Sequence, residues 1–312
     1  MYLYSEEYVK LNGIEHYFLH YPNKSDVVIL FLHGGPGQTE SFWAYKTKDE
    51  RLKCNIVYYD QRGAGKTQLK SPSTMEDVNL ENLLQDLQEV IQYVKRKYLT
   101  NKIILLGHSW GSVLGTCYIK KYPHDVLCYV GMGQVVDFML GEKLNYDKLG
   151  QSLESSNDKR NIKKYQQFKG YPYNLTKENL LSSILDFRKL QGKYGLTGDV
   201  WNQTKIMLKS PIVGVKDFIN LINYKKDMNT SKNLIEYLLT YSIINDKDYR
   251  LPIYYICGRN DWQVPSTLVN DYFETINAPK KKLYWVENAG HLTDIDNPYG
   301  FNNALLDIIN SL

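Results

Sequence analysis

The chain has 312 residues, 43% hydrophobic and 23% charged, which suits one large soluble domain or one domain carrying a sizeable insertion. Its formal net charge of +4, from 38 basic and 34 acidic residues, is too small to mark a nucleic-acid partner. The stretch MYLYSEEYVKLNGIEHY carries Glu6 and Glu7 with no apolar core, and VVILFL is only six residues long, so neither a secretory signal nor a membrane partner is expected.

Short β-rich runs alternate with helical ones, the pattern of a mostly parallel sheet with helices on both faces. GIEHYFLHY reads as an early strand, VVILFLHG as a buried strand entering a glycine loop, and NIVYYDQRG repeats that grammar. LENLLQDLQEVIQYVKRKY sets Leu80, Leu83, Leu84, Leu87, Val90, Ile91 and Val94 at helical spacing. Lys95, Arg96 and Lys97 sit at the negative end of that helix's dipole. Strand KIILLG, helix GSVLGTCYIKKY and strand VLCYVGMG follow. From about Val135 to Asp248 the chain is mixed and polar, with helical pieces such as KENLLSSILDFRKL and KNLIEYLLTYS and no convincing buried strand. Alternation resumes at LPIYYICGRND, continues through STLVNDYFETI and KKLYWVENAGH, and ends in GFNNALLDIINSL. The expected organisation is an α/β core over residues 1–135 and 249–312, interrupted by a helical insertion over 136–248. The insertion is basic, with 17 Lys and Arg against 11 Asp and Glu between 137 and 245. That balance reads either as a solvated helical surface or as a mouth favouring anionic substrates. The cysteines Cys54, Cys117, Cys128 and Cys257 are scattered without a C-x-x-C, and three lie in apolar segments. Buried free thiols in the reducing cytoplasm are expected.

The stretch GHSWG, between an apolar strand and a helix, places Ser109 on a sharp strand-to-helix turn, where a hydroxyl projects above the sheet. The simpler alternative is that Ser109 only caps the following helix. A serine hydroxyl needs a general base, and the base a carboxylate to orient it. In such a fold these follow in the order Ser, Asp, His, each after a later strand. Asp261 follows PIYYICG in GRNDWQVP, and His291 follows LYWVEN in AGHLTD. Among the other histidines, His16 and His20 lie in the early strand region, His124 follows the helix after Ser109, and His33 and His108 belong to other loops. Asp137 and Asp294 are the competing acids; Asp137 lies at the edge of the insertion and Asp294 is close in sequence to His291. Two backbone N–H groups should receive the developing oxyanion: that of Trp110, and one from the loop HGGPG, with Gly35 first and Gly34 second. GAGKT and GMGQVV are broken phosphate-loop and dinucleotide patterns, because Asp60 and Val136 stand where glycines belong. No helix carries H-x-x-x-H or clustered carboxylates, so no metal and no cofactor is expected.

Taken together and in this order, HGGPG, DQRGAGKT, GHSWGS, GRNDWQVP and AGH resemble the α/β-hydrolase fold family, and within it the proline iminopeptidase branch of serine peptidases. The resemblance covers roughly 1–135 and 249–312. It implies Ser109 as nucleophile, His291 as base, Asp261 as its orienter, an oxyanion hole from Gly35 and Trp110, and a helical cap over the site. The implied reaction releases an N-terminal residue, typically proline, from a short peptide. Asp60 and Arg62 of DQRG read as loop-fixing rather than chemical. In the cap the match departs: similar peptidases carry a Trp-x-x-Trp-Glu stretch, whereas Trp201 stands alone in GDVWNQTKIM. Glu142, Glu154, Glu178 and Glu236 remain as candidates to bind a substrate amine. His108 also stands where those peptidases often have glycine. An alternative is the same machinery acting on a small acyl substrate without a free amine, as a carboxylesterase, lactonase or amidase. A non-enzymatic receptor on this scaffold is the reading from a different class. Dehalogenase or epoxide hydrolase chemistry is disfavoured, because those enzymes place Asp at the position of Ser109.

Overall fold

Eight strands form one sheet in the order β1-β2-β4-β3-β5-β6-β7-β8, seen in a computed structural model that describes residues 4–197, 200–217 and 230–312. The strands are β1 (Ser5–Leu11), β2 (Ile14–Tyr21), β3 (Val27–Leu32), β4 (Asn55–Tyr59), β5 (Lys102–His108), β6 (Cys128–Met132), β7 (Ile253–Gly258) and β8 (Lys281–Val286). From β4 to β8 every neighbour is parallel, and the near-continuous apolar sequences of β3 to β7 fit a sheet covered on both faces, whereas the edge strand β8, KKLYWV, is mostly half-buried. The antiparallel hairpin β1–β2 closes one edge. Sequence reading gave β2 but not β1, because SEEYVKL alternates between exposed and half-buried positions and carries little apolar signal. The signal for it was Asn12-Gly13: both residues have positive φ (45° and 85°), as a two-residue hairpin turn requires.

The helix Leu80–Tyr98 buries Leu83, Leu84, Leu87, Val90, Ile91 and Val94 as its spacing predicts, while Leu80 is only partly buried. Asn79 caps it, its side chain accepting from the Asn82 N–H at 2.9 Å. Between β6 and β7 the described chain is helical: Phe138–Ser156, Lys159–Gln166, Leu180–Gly192, Val200–Leu208 and Lys232–Leu238. These helices have an apolar cluster of their own around Leu149, Leu153, Tyr171, Phe187 and Leu190, with the rings of Tyr171 and Phe187 stacked at 4.4 Å. Trp262, in the loop after β7, packs against it.

One contact fixes where the central helix Trp110–Lys121 leaves the sheet. A Cβ on Gly111 would lie 2.0 Å from the Leu32 carbonyl oxygen, and one on Gly107 would lie 2.4 Å from the Gly111 oxygen. Both obstacles are backbone, so neither can move aside. Gly111→Ala is therefore expected to cost about 3 kcal/mol of unfolding free energy, the upper range for overpacking a core. Gly141 is also helical, but its Cβ would meet only Pro265 Cδ at 3.7 Å. Gly141→Ala is expected to be neutral or to stabilise by up to about 1 kcal/mol through helix propensity. Urea unfolding of both variants checks the contrast.

Candidate active site

The carboxyl ends of the parallel strands lie side by side, since Leu32 pairs with Gly107 and Tyr59, His108 with Met132, and Gly258 with Val286. Ligands of open α/β sheets bind at that edge. The loops leaving these strands carry His33-Gly34, Asp60-Gln61, Ser109, Gly133, Asp261 and His291, so residues far apart in sequence converge there.

Ser109 has φ +52° and ψ −117°, a conformation that L-residues rarely adopt. It precedes the helix Trp110–Lys121, yet its side chain caps nothing. Ser112 fills the turn instead, its hydroxyl donating to the Ser109 carbonyl at 2.6 Å while accepting from the Val135 N–H at 2.9 Å. The plain capping role is thereby excluded, and the Ser109 side chain faces a cavity of about 1130 Å³. His291 lines the same cavity, and its Nδ1 donates to Asp261 Oδ2 at 3.0 Å. The other carboxylate oxygen of Asp261 accepts from the N–H groups of Gln263 and Val264, at 3.0 and 2.9 Å. Both oxygens are thus committed, which fixes the carboxylate and, in a neutral His291 ring, makes Nε2 the acceptor. Gly133, at φ +54°, lets this pair approach: a Cβ there would be 3.1 Å from the His291 ring. Of the competing acids, Asp137 caps the helix Phe138–Ser156 through the Leu140 N–H at 2.7 Å. Asp294 is buried; burial first and the nearby Glu40 second push its carboxyl up to about 7.

The loop HGGPG is held from beneath by DQRG. The Gln61 N–H donates to His33 Nε2 at 2.9 Å, and the Gln61 amide donates to the His33 carbonyl at 3.0 Å and accepts from the Trp110 indole at 3.1 Å. His33 Nδ1 must then carry the proton, which it donates to the Gly34 carbonyl at 2.8 Å. Asp60 accepts from Thr39, Ser41 and the Lys66 N–H, and Arg62 grips Asp86 through two bonds of 2.8 and 2.7 Å. Asp60 and Arg62 therefore brace loops. The two glycines proposed for the oxyanion loop now separate. The Gly34 N–H is spent on Glu40 Oε1 at 2.8 Å, while Gly35 and Trp110 both line the cavity.

The four cap glutamates do not come together. Glu154 and Glu178 are exposed and do not line the cavity. Glu236 is paired with Lys177 at 3.1 Å and Lys232 at 3.8 Å. Glu142 does line the cavity, but Arg188 and Tyr171 both donate to it, so its charge is neutralised on site. The side chain of Trp201 lies outside the described residues. Sequence reasoning missed three elements: the Glu142–Arg188 pair, the Glu40–His108 pair, and Asp137 as a cavity carboxylate. Asp137 is half-buried, lines the cavity, and has no cationic side chain on it among the described residues. Sequence spacing carries no signal for pairs separated by 46 or 68 residues.

Comparison with known proteins agrees with this fold. The family profile described as alpha/beta hydrolase fold matches residues 27–298. A probable aminopeptidase of Bacillus subtilis is 27% identical over 287 residues, covering 89% of this chain and 87% of that protein. A proline iminopeptidase of Heyndrickxia coagulans is 24% identical, covering 99% of this chain and all of that protein, 100%. Among solved structures, proline iminopeptidase of Mycobacterium smegmatis superposes with a TM-score of 0.69 at 15% identity, covering 98% of each chain, a likeness of fold. No helix among the described residues is long and apolar enough to cross a membrane.

Proposed function

Because the chain belongs to the α/β-hydrolase fold family, we propose that it is a serine hydrolase working through an acyl-enzyme, with Ser109 as nucleophile, His291 as general base and Asp261 as its orienter. The observation that carries this reading is the His291–Asp261 hydrogen bond of 3.0 Å in the wall of the cavity that Ser109 faces from its elbow. In the forward step the Ser109 hydroxyl attacks the substrate carbonyl and His291 Nε2 takes its proton. The Trp110 and Gly35 N–H groups receive the oxyanion, each donor supplying about 10²–10³ in rate. His291 then returns the proton to the leaving group, and water, deprotonated by the same nitrogen, releases the acyl group. Segment 136–248, helical in its described parts, serves as the cap over a core of 1–135 and 249–312. Four unpaired cysteines, three of them buried, favour a reducing compartment, the cytoplasm.

The substrate reading is an aminopeptidase that releases N-terminal proline or another small residue from short peptides, supported by the motifs and by the names of the full-length relatives. Asp137 is the carboxylate placed to receive the substrate ammonium. The test compares proline β-naphthylamide with its N-acetylated form and p-nitrophenyl butyrate. Asp137→Asn keeps the helix cap, since asparagine caps as well as aspartate. It is expected to raise KM for the free-amine amide about tenfold, roughly 1.4 kcal/mol, and to leave the ester unaffected. A second reading, a carboxylesterase, lactonase or amidase for a small acyl substrate without a free amine, is favoured by the cavity wall, which carries Trp43, Phe138, Ile184, Leu185 and Met207 and where Glu142 is neutralised. Cleavage of the ester alone would select it.

A further inference from the structure

His108 lies directly before Ser109 and is buried, and both of its ring nitrogens face oxygens. Nδ1 meets Glu40 Oε1, and Nε2 meets the backbone carbonyl of His291 at 2.9 Å. A carbonyl only accepts a hydrogen bond. Glu40 Oε1 accepts from the Gly34 N–H at 2.8 Å, and although burial works to raise the Glu40 carboxyl, His108, that N–H and His33 hold it below its ordinary value, so it faces Nδ1 as a carboxylate that accepts. Two acceptors require a proton on each ring nitrogen, which makes the ring an imidazolium. The chain Gly34–Glu40–His108–His291 therefore ties the oxyanion loop, the nucleophile elbow and the loop of the general base into one charged clamp. We propose that His108 is a positioning residue held as an imidazolium by Glu40, and that this buried ion pair sets the spacing of the three loops on which the reaction depends.

Charge balance gives the pair a second consequence. The rings of His108 and His291 are 4.7 Å apart, and His291 must itself become cationic when it takes the Ser109 proton. Glu40 cancels the His108 charge, so the base can ionise beside it. The groups facing His108 are Glu40 at Nδ1, His291 at Nε2, His33, and Asp294, whose raised carboxyl is neutral more readily than Glu40. Burial alone would lower the His108 ring; Glu40, Asp294 and the His291 carbonyl outweigh it and raise it to about 9.

The inference rests on the proposed catalytic roles of Ser109 and His291 for its kinetic consequence, but the protonation state is read independently of activity. The experiment is nitrogen-15 NMR of histidine-labelled protein, with His108 assigned by its loss in His108→Gln. Two protonated ring nitrogens at pH 7.5 are expected, in the parent and in Ser109→Ala. One unprotonated nitrogen at that pH overturns the proposal. On the best substrate, Glu40→Gln is expected to lower kcat about 100-fold, the cost of a small misplacement of reacting groups, with KM within twofold. It also adds an ionisation below pH 8 to the kcat profile, as His108 titrates without its counter-charge. A folded Glu40→Gln variant with unchanged kcat and an unchanged profile overturns the positioning role. Full activity in Ser109→Ala would instead overturn the catalytic reading, leaving the NMR result to stand on its own.

Discussion

Ser109→Ala is expected to lower kcat by about 10⁶-fold while the protein remains folded. The elbow leaves the hydroxyl unused in structure, since it caps no helix and the adjacent turn is closed by Ser112. Nothing but chemistry is lost with it. His291→Ala should cost about as much, and the double variant no more than either, because in the proposed mechanism nucleophile and base act as a unit and the residual rate comes from the oxyanion donors and substrate binding. The same position carries a stability signature. Its φ of +52° strains a residue with a Cβ by about 1–3 kcal/mol, and glycine relieves that at an entropic cost of about 0.5–1 kcal/mol. Ser109→Gly should therefore be inactive and yet more stable by about 1 kcal/mol, read as a higher urea midpoint. An elbow serine with no catalytic role would show the stability gain without the loss of rate.

Asp261→Asn is expected to reduce kcat by about 10⁴-fold with little change in KM, for a reason set by the loop after β7. Asp261 Oδ1 accepts from two backbone N–H groups, those of Gln263 and Val264. The asparagine oxygen must take that place, because an amide NH₂ there would face two donors. Its NH₂ then points at His291 Nδ1, which has to accept. The proton moves to Nε2, and the ring can no longer take one from Ser109. Asp261→Ala removes the partner without imposing the wrong tautomer, so it should be no worse than the asparagine variant. Steady-state kinetics of both variants distinguish an orienting carboxylate from a merely structural one.

The sheet and the elbow were legible in sequence because each rests on local physics. Buried parallel strands read as apolar runs, and Gly107 and Gly111 are required where an added Cβ would come within 2.4 and 2.0 Å of a backbone oxygen. The order Ser109, Asp261, His291 was legible because each residue follows its own strand, so the sheet itself brings them to one edge. Strand β1 was missed because an edge strand with one solvated face carries little apolar pattern, although Asn12-Gly13 marked its turn. The cap resisted reading for a different reason. Its polar interior is decided by pairings such as Glu142 with Arg188 and Tyr171, made by helices whose crossing no periodicity encodes. Glu40 and His108 were likewise unremarkable apart, and only the fold shows that both nitrogens of His108 are committed.

The central claim, that Ser109 forms the acyl-enzyme, is tested most directly by treating the folded protein with a fluorophosphonate and locating the adduct by intact mass and peptide mapping. One phosphonyl group per chain on Ser109, absent from Ser109→Ala and slowed in His291→Ala, is the result predicted. A protein that hydrolyses its substrate yet carries no adduct, or carries it on another residue, would contradict it.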